Sequence, residues 1–208
     1  VEHIKIYSQK EKDSQEKIMR NGRLVRYNDA VATVLVCHGF MCDKFDVGIL
    51  RSIFPRGKYN IMTFDFRAHG EQAEGQVCTF GLNEAYDVIA AAEFLKGREE
   101  LKNKPLFVYG FSMGAVSAIM AQAQQNGLFD AMILDCPCDR SENVIKKGLG
   151  SMKFSLFGYE FEIPGRETLQ KYAFHPYVQS FVKAVLKAVA NMDSRNINVR
   201  VYPISTVE

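Results

Sequence analysis

Apolar residues fall into runs of two kinds along this chain. Residues 3–8 alternate, with Ile4 and Ile6 on one face, and residues 17–27 alternate again, which predicts antiparallel strands with one buried face. His3 has no partner in sight and reads as a surface residue. Asn21-Gly22 interrupts the second run, and because the pair favours φ > 0 at both positions it predicts a two-residue hairpin turn. Residues 32–37 (ATVLVC) are a short continuous apolar run, as expected of a central parallel strand covered on both faces. Residues 59–64 make the next strand, 105–110 another, and 131–135 (AMILD) a further buried one. Helical periods stand between them. Residues 44–54 put Val47, Leu50 and Phe54 on one side; residues 79–96 turn Leu82, Ala85, Ile89, Ala92 and Leu95 inward, with Glu84, Asp87 and Glu93 pointing elsewhere. Residues 113–125 form a third helix, closed by Asn126-Gly127 in the manner of an αL cap. Strands alternating with helices, on connections long enough for crossovers, predict an α/β fold: a mostly parallel sheet with helices on both faces.

From 140 to 198 the pattern changes, and no strand-like run bounded by turn signals returns until Val199. Tyr177, Phe181, Ala184, Val185, Ala188, Val189 and Met192 line one face of a helix opened by Pro176, with Lys183 and Lys187 on the other. Residues 155–163 (SLFGYEFEI) read as a hairpin or a lid over a pocket. Phe154, Phe157, Tyr159 and Phe161 suit an apolar acyl or alcohol group and core packing equally well. Residues 199–204 are followed by Ser205-Thr206-Val207-Glu208, a capping box that should open a helix. A helix start without its helix leads to the expectation that the sequence is cut there. The expected organisation is a core over 1–138, a helical cap inserted over 139–198 and a return to the core at 199–208.

Composition narrows the function classes. In 208 residues, 26 Lys and Arg stand against 24 Asp and Glu, so nothing suggests a nucleic-acid or polybasic membrane surface. The five cysteines are too few and too irregular for a disulfide scaffold, and Cys136-Pro-Cys138 lacks redox or zinc spacing. They read as thiols in a reducing compartment such as the cytoplasm. There is no apolar run long enough to span a membrane; a leader or anchor removed ahead of Val1 stays open. Neither a metal-ligand cluster nor a dinucleotide fingerprint occurs, and the turn at Gly110 to Gly114 lacks the Lys-Ser or Lys-Thr of a phosphate loop. No metal and no cofactor are expected.

The chemistry concentrates in residues 105–115, PLFVYGFSMGA. An apolar strand stops at Gly110, presents Ser112 and restarts at Gly114 as a small-residue helix, the strand, turn and helix of a Gly-x-Ser-x-Gly nucleophile elbow. The serine has to sit on a strained turn between packed elements, where a Cβ at Gly110 or Gly114 would collide. By itself the string is also compatible with a plain loop.

Strand-HGF, strand-DFRAHG, strand-GFSMG and strand-LDCP, in that order over residues 31–138, resemble the α/β-hydrolase superfamily, in particular its serine esterase and serine aminopeptidase-like branch. The resemblance implies that Ser112 attacks the carbonyl carbon of a small-molecule ester, thioester or amide to give an acyl-enzyme. It further implies an oxyanion hole made of the backbone N–H groups of Met113, at a helix start, and of Phe40, after Gly39. His38 would hold the oxyanion loop by hydrogen bonding, His69 would be structural in its Arg-x-His-Gly turn, and His175 a helix-start or surface residue. Asp135 ends the strand where some lipases keep their acid; the usual acid follows the next strand, which makes Asp135 the lesser candidate. The family order of Ser, acid, His puts acid and base beyond Glu208. The chain as given is thus expected to be nearly inert, retaining on the order of 10³ to 10⁴ over water, with an uncovered sheet edge after residue 135. Two rivals remain: a non-catalytic binding or scaffold protein on the same fold, and an acyltransferase using the same elbow.

Overall fold

Strand β3 (Ala32–Cys37) is buried at all six positions, and the sheet is built outward from it. A computed structural model describes residues 1–46, 53–73 and 75–137, together with the backbone of 153–156 and 159–162. With β1 (Glu2–Gln9), β2 (Lys17–Val25), β4 (Tyr59–Phe64), β5 (Leu106–Phe111) and β6 (Ala131–Asp135), β3 forms a sheet of order β1-β2-β4-β3-β5-β6. β3 pairs in parallel with β4 and β5, and β5 with β6, whereas β1 and β2 are antiparallel additions on the β4 side. Continuous apolar runs belong to such doubly covered strands. Val34, Val36, Phe54 and Tyr109 cluster on one face, with Tyr59, Ile61 and Phe107 packed against them. Helix α1 (Glu84–Lys96) packs on β1 and on α2 (Met113–Gln124), which in turn packs on β5.

The Asn21-Gly22 hairpin turn is not formed. β2 runs straight through the pair, with Gly22 opposite Ile4 of β1 and Phe64 of β4. Gly22 is there for close approach: a Cβ on it would lie 3.0 Å from the Thr63 carbonyl oxygen. The actual turn uses the polar stretch 10–16, closed by Lys10 N–H to Glu16 O (2.9 Å) with Asp13 at φ 60°. β6 also differs from expectation. Among the described residues it is the end strand of the sheet, and Ala131, Ile133 and Asp135 are exposed rather than buried. α2 ends one residue early, on an extended Gln125, and the αL glycine, Gly127 at φ 73°, lies beyond its cap.

The first turn of the 79–96 helix is corrected as well. α1 starts at Glu84; Leu82 lies outside it and is exposed, while Glu84 and Asp87, expected on the polar face, are completely buried. Each has become a hub. Glu84 accepts the N–H and hydroxyl of Thr79 (2.8 and 2.7 Å) and the N–H of Gly81 (2.8 Å), satisfying donors ahead of the helix. Asp87 accepts the Arg67 N–H (2.9 Å), its Nε (3.0 Å) and Nη2 (2.8 Å), and the hydroxyl of Ser8. The same guanidinium donates to the carbonyls of Gln9 and Lys10. β1, the loop after β4 and α1 are thereby joined through one ion pair.

The chain divides into two compact units, Val1–Cys138 and Asp139–Glu208. Within the second, β7 (Lys153–Leu156) and β8 (Tyr159–Glu162) pair as an antiparallel hairpin, Phe154 opposite Phe161. Most of the predicted 44–54 helix and all of the 176–192 helix, the 199–204 strand and the 205–208 capping box lie outside the described residues.

Breaking a buried pair from one side leaves its partner charged and unmatched. Asp87→Ala is therefore expected to lower stability by about 3–5 kcal/mol, read as a fall in the urea midpoint. Glu16→Ala, which removes the exposed partner of Lys10, should leave that midpoint unmoved.

Candidate active site

The parallel strands β4, β3, β5 and β6 release their following loops at one edge of the sheet. The register sets Cys37 beside Gly110 and Phe111 beside Asp135, so the His38-Gly39-Phe40 turn and the turn at Ser112 emerge as neighbours. Ligands of open α/β sheets bind at this carboxyl edge of the strands.

Ser112 joins β5 to α2 at φ 50° and ψ −114°, a conformation that a non-glycine residue adopts only under strain. Its N–H is held by the Asp135 carbonyl at 2.9 Å, and its own carbonyl accepts the N–H groups of Ala115 and Val116 (3.0 and 3.2 Å). The half-buried hydroxyl makes no hydrogen bond among the described residues. Both flanking glycines are sites of close approach. A Cβ on Gly110 would lie 2.6 Å from the Ala115 Cα, and one on Gly114 would overlap the Cys37 carbonyl. The first turn of α2 thus rests directly on the end of β3.

The N–H groups of Met113, at the first position of α2, and of Phe40 find no acceptor among the described residues. Free amides at a helix start favour a negative charge through both hydrogen bonding and the helix dipole. Gly39 lies against the residue before the serine, since a Cβ on it would come 2.8 Å from Phe111 Cδ1. His38 and His69 are buried beneath this turn and bound to backbone groups. Burial is the main cause that holds the His38 imidazole below its ordinary pKa, against smaller opposing effects of the Gly39 carbonyl and Asp65. The Phe40 ring packs against Phe80, centroids 4.6 Å apart. His3 is exposed on β1, and His175 lies outside the described residues.

Asp135, the lesser acid candidate, sits one strand over from the serine. Its carboxylate accepts the Tyr109 hydroxyl at 2.9 Å. Burial and then this carboxylate push the Tyr109 pKa up to about 12, so the phenol stays a donor. Among the described residues no group of His, Cys, Asp or Glu side chains could hold a metal ion, and no helix is long and apolar enough to cross a membrane.

The family model of serine aminopeptidase, S33 matches residues 28–156, more than half of the chain. The chain belongs to the serine aminopeptidase, S33 family. The fold is similar to that of the esterase Pf2001 of Pyrococcus furiosus, at 25% sequence identity and a TM-score of 0.59 over 72% of this chain and 55% of that one. It is likewise similar to the peroxisomal α/β-hydrolase Lpx1 of Saccharomyces cerevisiae, at 18% identity and a TM-score of 0.54 over 74% of this chain and 53% of that one. The uncharacterized protein YqkD of Bacillus subtilis (strain 168) is 29% identical over 117 residues, 56% of this chain and 38% of that protein. The chain thus spans about two fifths of the length of this curated relative. Family and fold together make this an α/β-hydrolase fold with a mixed, mostly parallel sheet.

In this S33 chain several supporting residues escaped the sequence reading. Asp65 accepts both the Lys44 N–H (2.9 Å) and its ammonium (2.6 Å), tying the loop after β4 to the loop after β3, and both side chains are buried. Tyr109 was read only as a strand residue. No spacing rule marks either one, because their partners stand 21 and 26 residues away.

A methyl group at residue 114 has nowhere to go. Gly114→Ala is expected to cost at least about 2 kcal/mol through forced separation of α2 from β3, measured as a lower thermal midpoint. A stability equal to that of the parent protein would show that the contact yields freely.

Proposed function

We propose that this chain carries the nucleophile and oxyanion hole of a serine hydrolase that cleaves carboxylic ester bonds, or related thioester or amide bonds, through an acyl-enzyme on Ser112. The observation that carries the reading is the strained, half-buried Ser112 at the head of α2, with the Met113 N–H beside it bound to no acceptor among the described residues. Oγ gives its proton to a base and adds to the substrate carbonyl carbon, and the π electrons move to the oxygen, which accepts hydrogen bonds from the N–H groups of Met113 and Phe40. The tetrahedral adduct collapses by expelling the alcohol, thiol or amine, which takes up the proton that Oγ gave to the base, and water then adds to the acyl carbon, releasing the acid and restoring the proton on Oγ.

Two features support this electrostatically. The N-terminus of α2 directs its dipole at the developing oxyanion, and Gly110 and Gly114 allow the serine turn to lie close to the His38-Gly39-Phe40 turn. Donors set in advance reorganise little as charge develops, and each is worth roughly 10² to 10³ in rate. The exposed apolar side chains of Met41 and Phe111 beside the site favour a substrate with an apolar group next to its carbonyl. Deprotonation of Oγ requires a base; Asp135, engaged by Tyr109, is a candidate to orient one.

A fluorophosphonate probe tests the nucleophile. Slow covalent labelling is expected on Ser112 and none in Ser112→Ala, while hydrolysis of p-nitrophenyl esters by the 208-residue chain should stay near background, since no base stands beside Oγ among the described residues. Unlabelled Ser112 in a protein folded by circular dichroism would favour the non-catalytic binding protein. Labelling without hydrolysis, but with transfer to an added alcohol or amine, would favour the acyltransferase.

A further inference from the structure

Glu84 opens α1 as a completely buried carboxylate, and no lysine, arginine or histidine is paired with it among the described residues. A helical side chain leans toward the N-terminus of its own helix, so this one reaches back over the turn that precedes α1. There Oε1 accepts the Thr79 N–H (2.8 Å), while Oε2 accepts the Thr79 hydroxyl (2.7 Å) and the Gly81 N–H (2.8 Å). The Thr79 hydroxyl oxygen accepts the Asn83 N–H at 2.8 Å, and the Ala85 N–H donates to the Gly81 carbonyl (3.2 Å). Between the two held amides stands Phe80 at φ 53°, a conformation that a residue with a side chain keeps only where its surroundings impose it.

The turn held in this way touches both candidate oxyanion residues. The Phe80 ring lies against the Phe40 ring, centroids 4.6 Å apart with the planes inclined at 37°. The Cys78 thiol donates to the thioether sulfur of Met113 at 3.3 Å, and both side chains are buried. Gly81 rests on the first turn of α2, since a Cβ on it would lie 2.6 Å from Val116 Cγ1. Phe40 follows β3 and Met113 opens α2, so the two stand on different elements, and residues 78–81 are in contact with both.

A carboxylate taken out of water loses its hydration, and only donors placed around it offset that loss. Here the donors are two backbone amides and a hydroxyl within three consecutive residues. Satisfying Glu84 therefore fixes the backbone of the turn as well as its side chains.

We propose that Glu84 is a positioning residue whose carboxylate sets the 78–81 turn, and that the turn braces Phe40 and Met113 so that their N–H groups keep a fixed spacing. The consequence for catalysis rests on those two groups forming the oxyanion hole; the brace itself does not. Glutamine cannot replace the carboxylate. Its one oxygen can meet the Thr79 N–H or the Gly81 N–H, and its NH2 then faces the other donor.

Two readouts on the 208-residue chain separate the brace from general stability. The first is contact in NMR spectra between the Phe40 and Phe80 rings and between the Met113 methyl group and the Cys78 side chain. Both contacts are expected in the parent chain, weakened or lost in Glu84→Gln and kept in Leu95→Ala. Leu95 is buried near the other end of α1, so its truncation destabilises the same helix without touching the turn. The second readout is fluorophosphonate labelling of Ser112 at a temperature where the proteins are folded. It should be at least about tenfold slower in Glu84→Gln than in the parent chain, and parental in Leu95→Ala. A parent chain that labels, with Glu84→Gln labelling as fast or Leu95→Ala slowed as much as Glu84→Gln, would overturn the proposal. Absence of the ring and methyl contacts from the parent chain would overturn it even if no variant folds. Contacts that depend on Glu84, with no labelling of Ser112 in the parent chain, would leave the brace standing and remove the serine hydrolase instead.

Discussion

The seating of the first turn of α2 on the end of β3 is the contact on which the other features depend. With no Cβ at Gly114, the helix backbone reaches the Cys37 carbonyl, and Gly110 lets the chain reverse from β5 into the helix within a single residue. That reversal forces Ser112 to φ 50°. The strain is of order 1–3 kcal/mol, and the buried β3 with the small-residue face of α2 holds it in place. The position of the Met113 N–H and the orientation of the serine are consequences of this packing.

Around this contact, buried polar groups link the loops. Lys44 with Asp65, Arg67 with Asp87, and Glu84 with Thr79 each join segments that the sheet alone would leave independent. Taking such groups out of water is costly, and a buried ion pair adds little net stability over a well-packed apolar pair. What these pairs supply is loop position, since each carboxylate accepts backbone N–H groups as well as side-chain donors. A loop built this way has few alternative conformations, as an oxyanion hole set in advance requires.

Much of the fold was legible because parallel strands and their helices leave strong local periods. β3, β4, β5 and β6 lie where the apolar runs predict them, and Gly110-Phe111-Ser112-Met113-Gly114 marks a strand-to-helix turn by spacing alone. The failures share a cause. Asn21-Gly22 has the residues of a turn, but pairing with β1 on one side and β4 on the other keeps it extended. Glu84 and Asp87 have the polarity of a solvent face, but Thr79 and Gly81, and Arg67 and Ser8, draw them inside. Residues 131–135 read as buried, but whether a strand is covered depends on its place in the sheet.

The sequence by itself determined the α/β class, the candidate nucleophile and the two turns that flank it, because each depends on residues adjacent in the chain. Only the tertiary structure decided how those turns are held. His38 to Phe66, His69 to Met41, Lys44 to Asp65, Tyr109 to Asp135 and Ser112 to the Asp135 carbonyl are bonds between residues more than 20 positions apart. Such pairs carry no period and no motif, since the strand register alone brings them into reach.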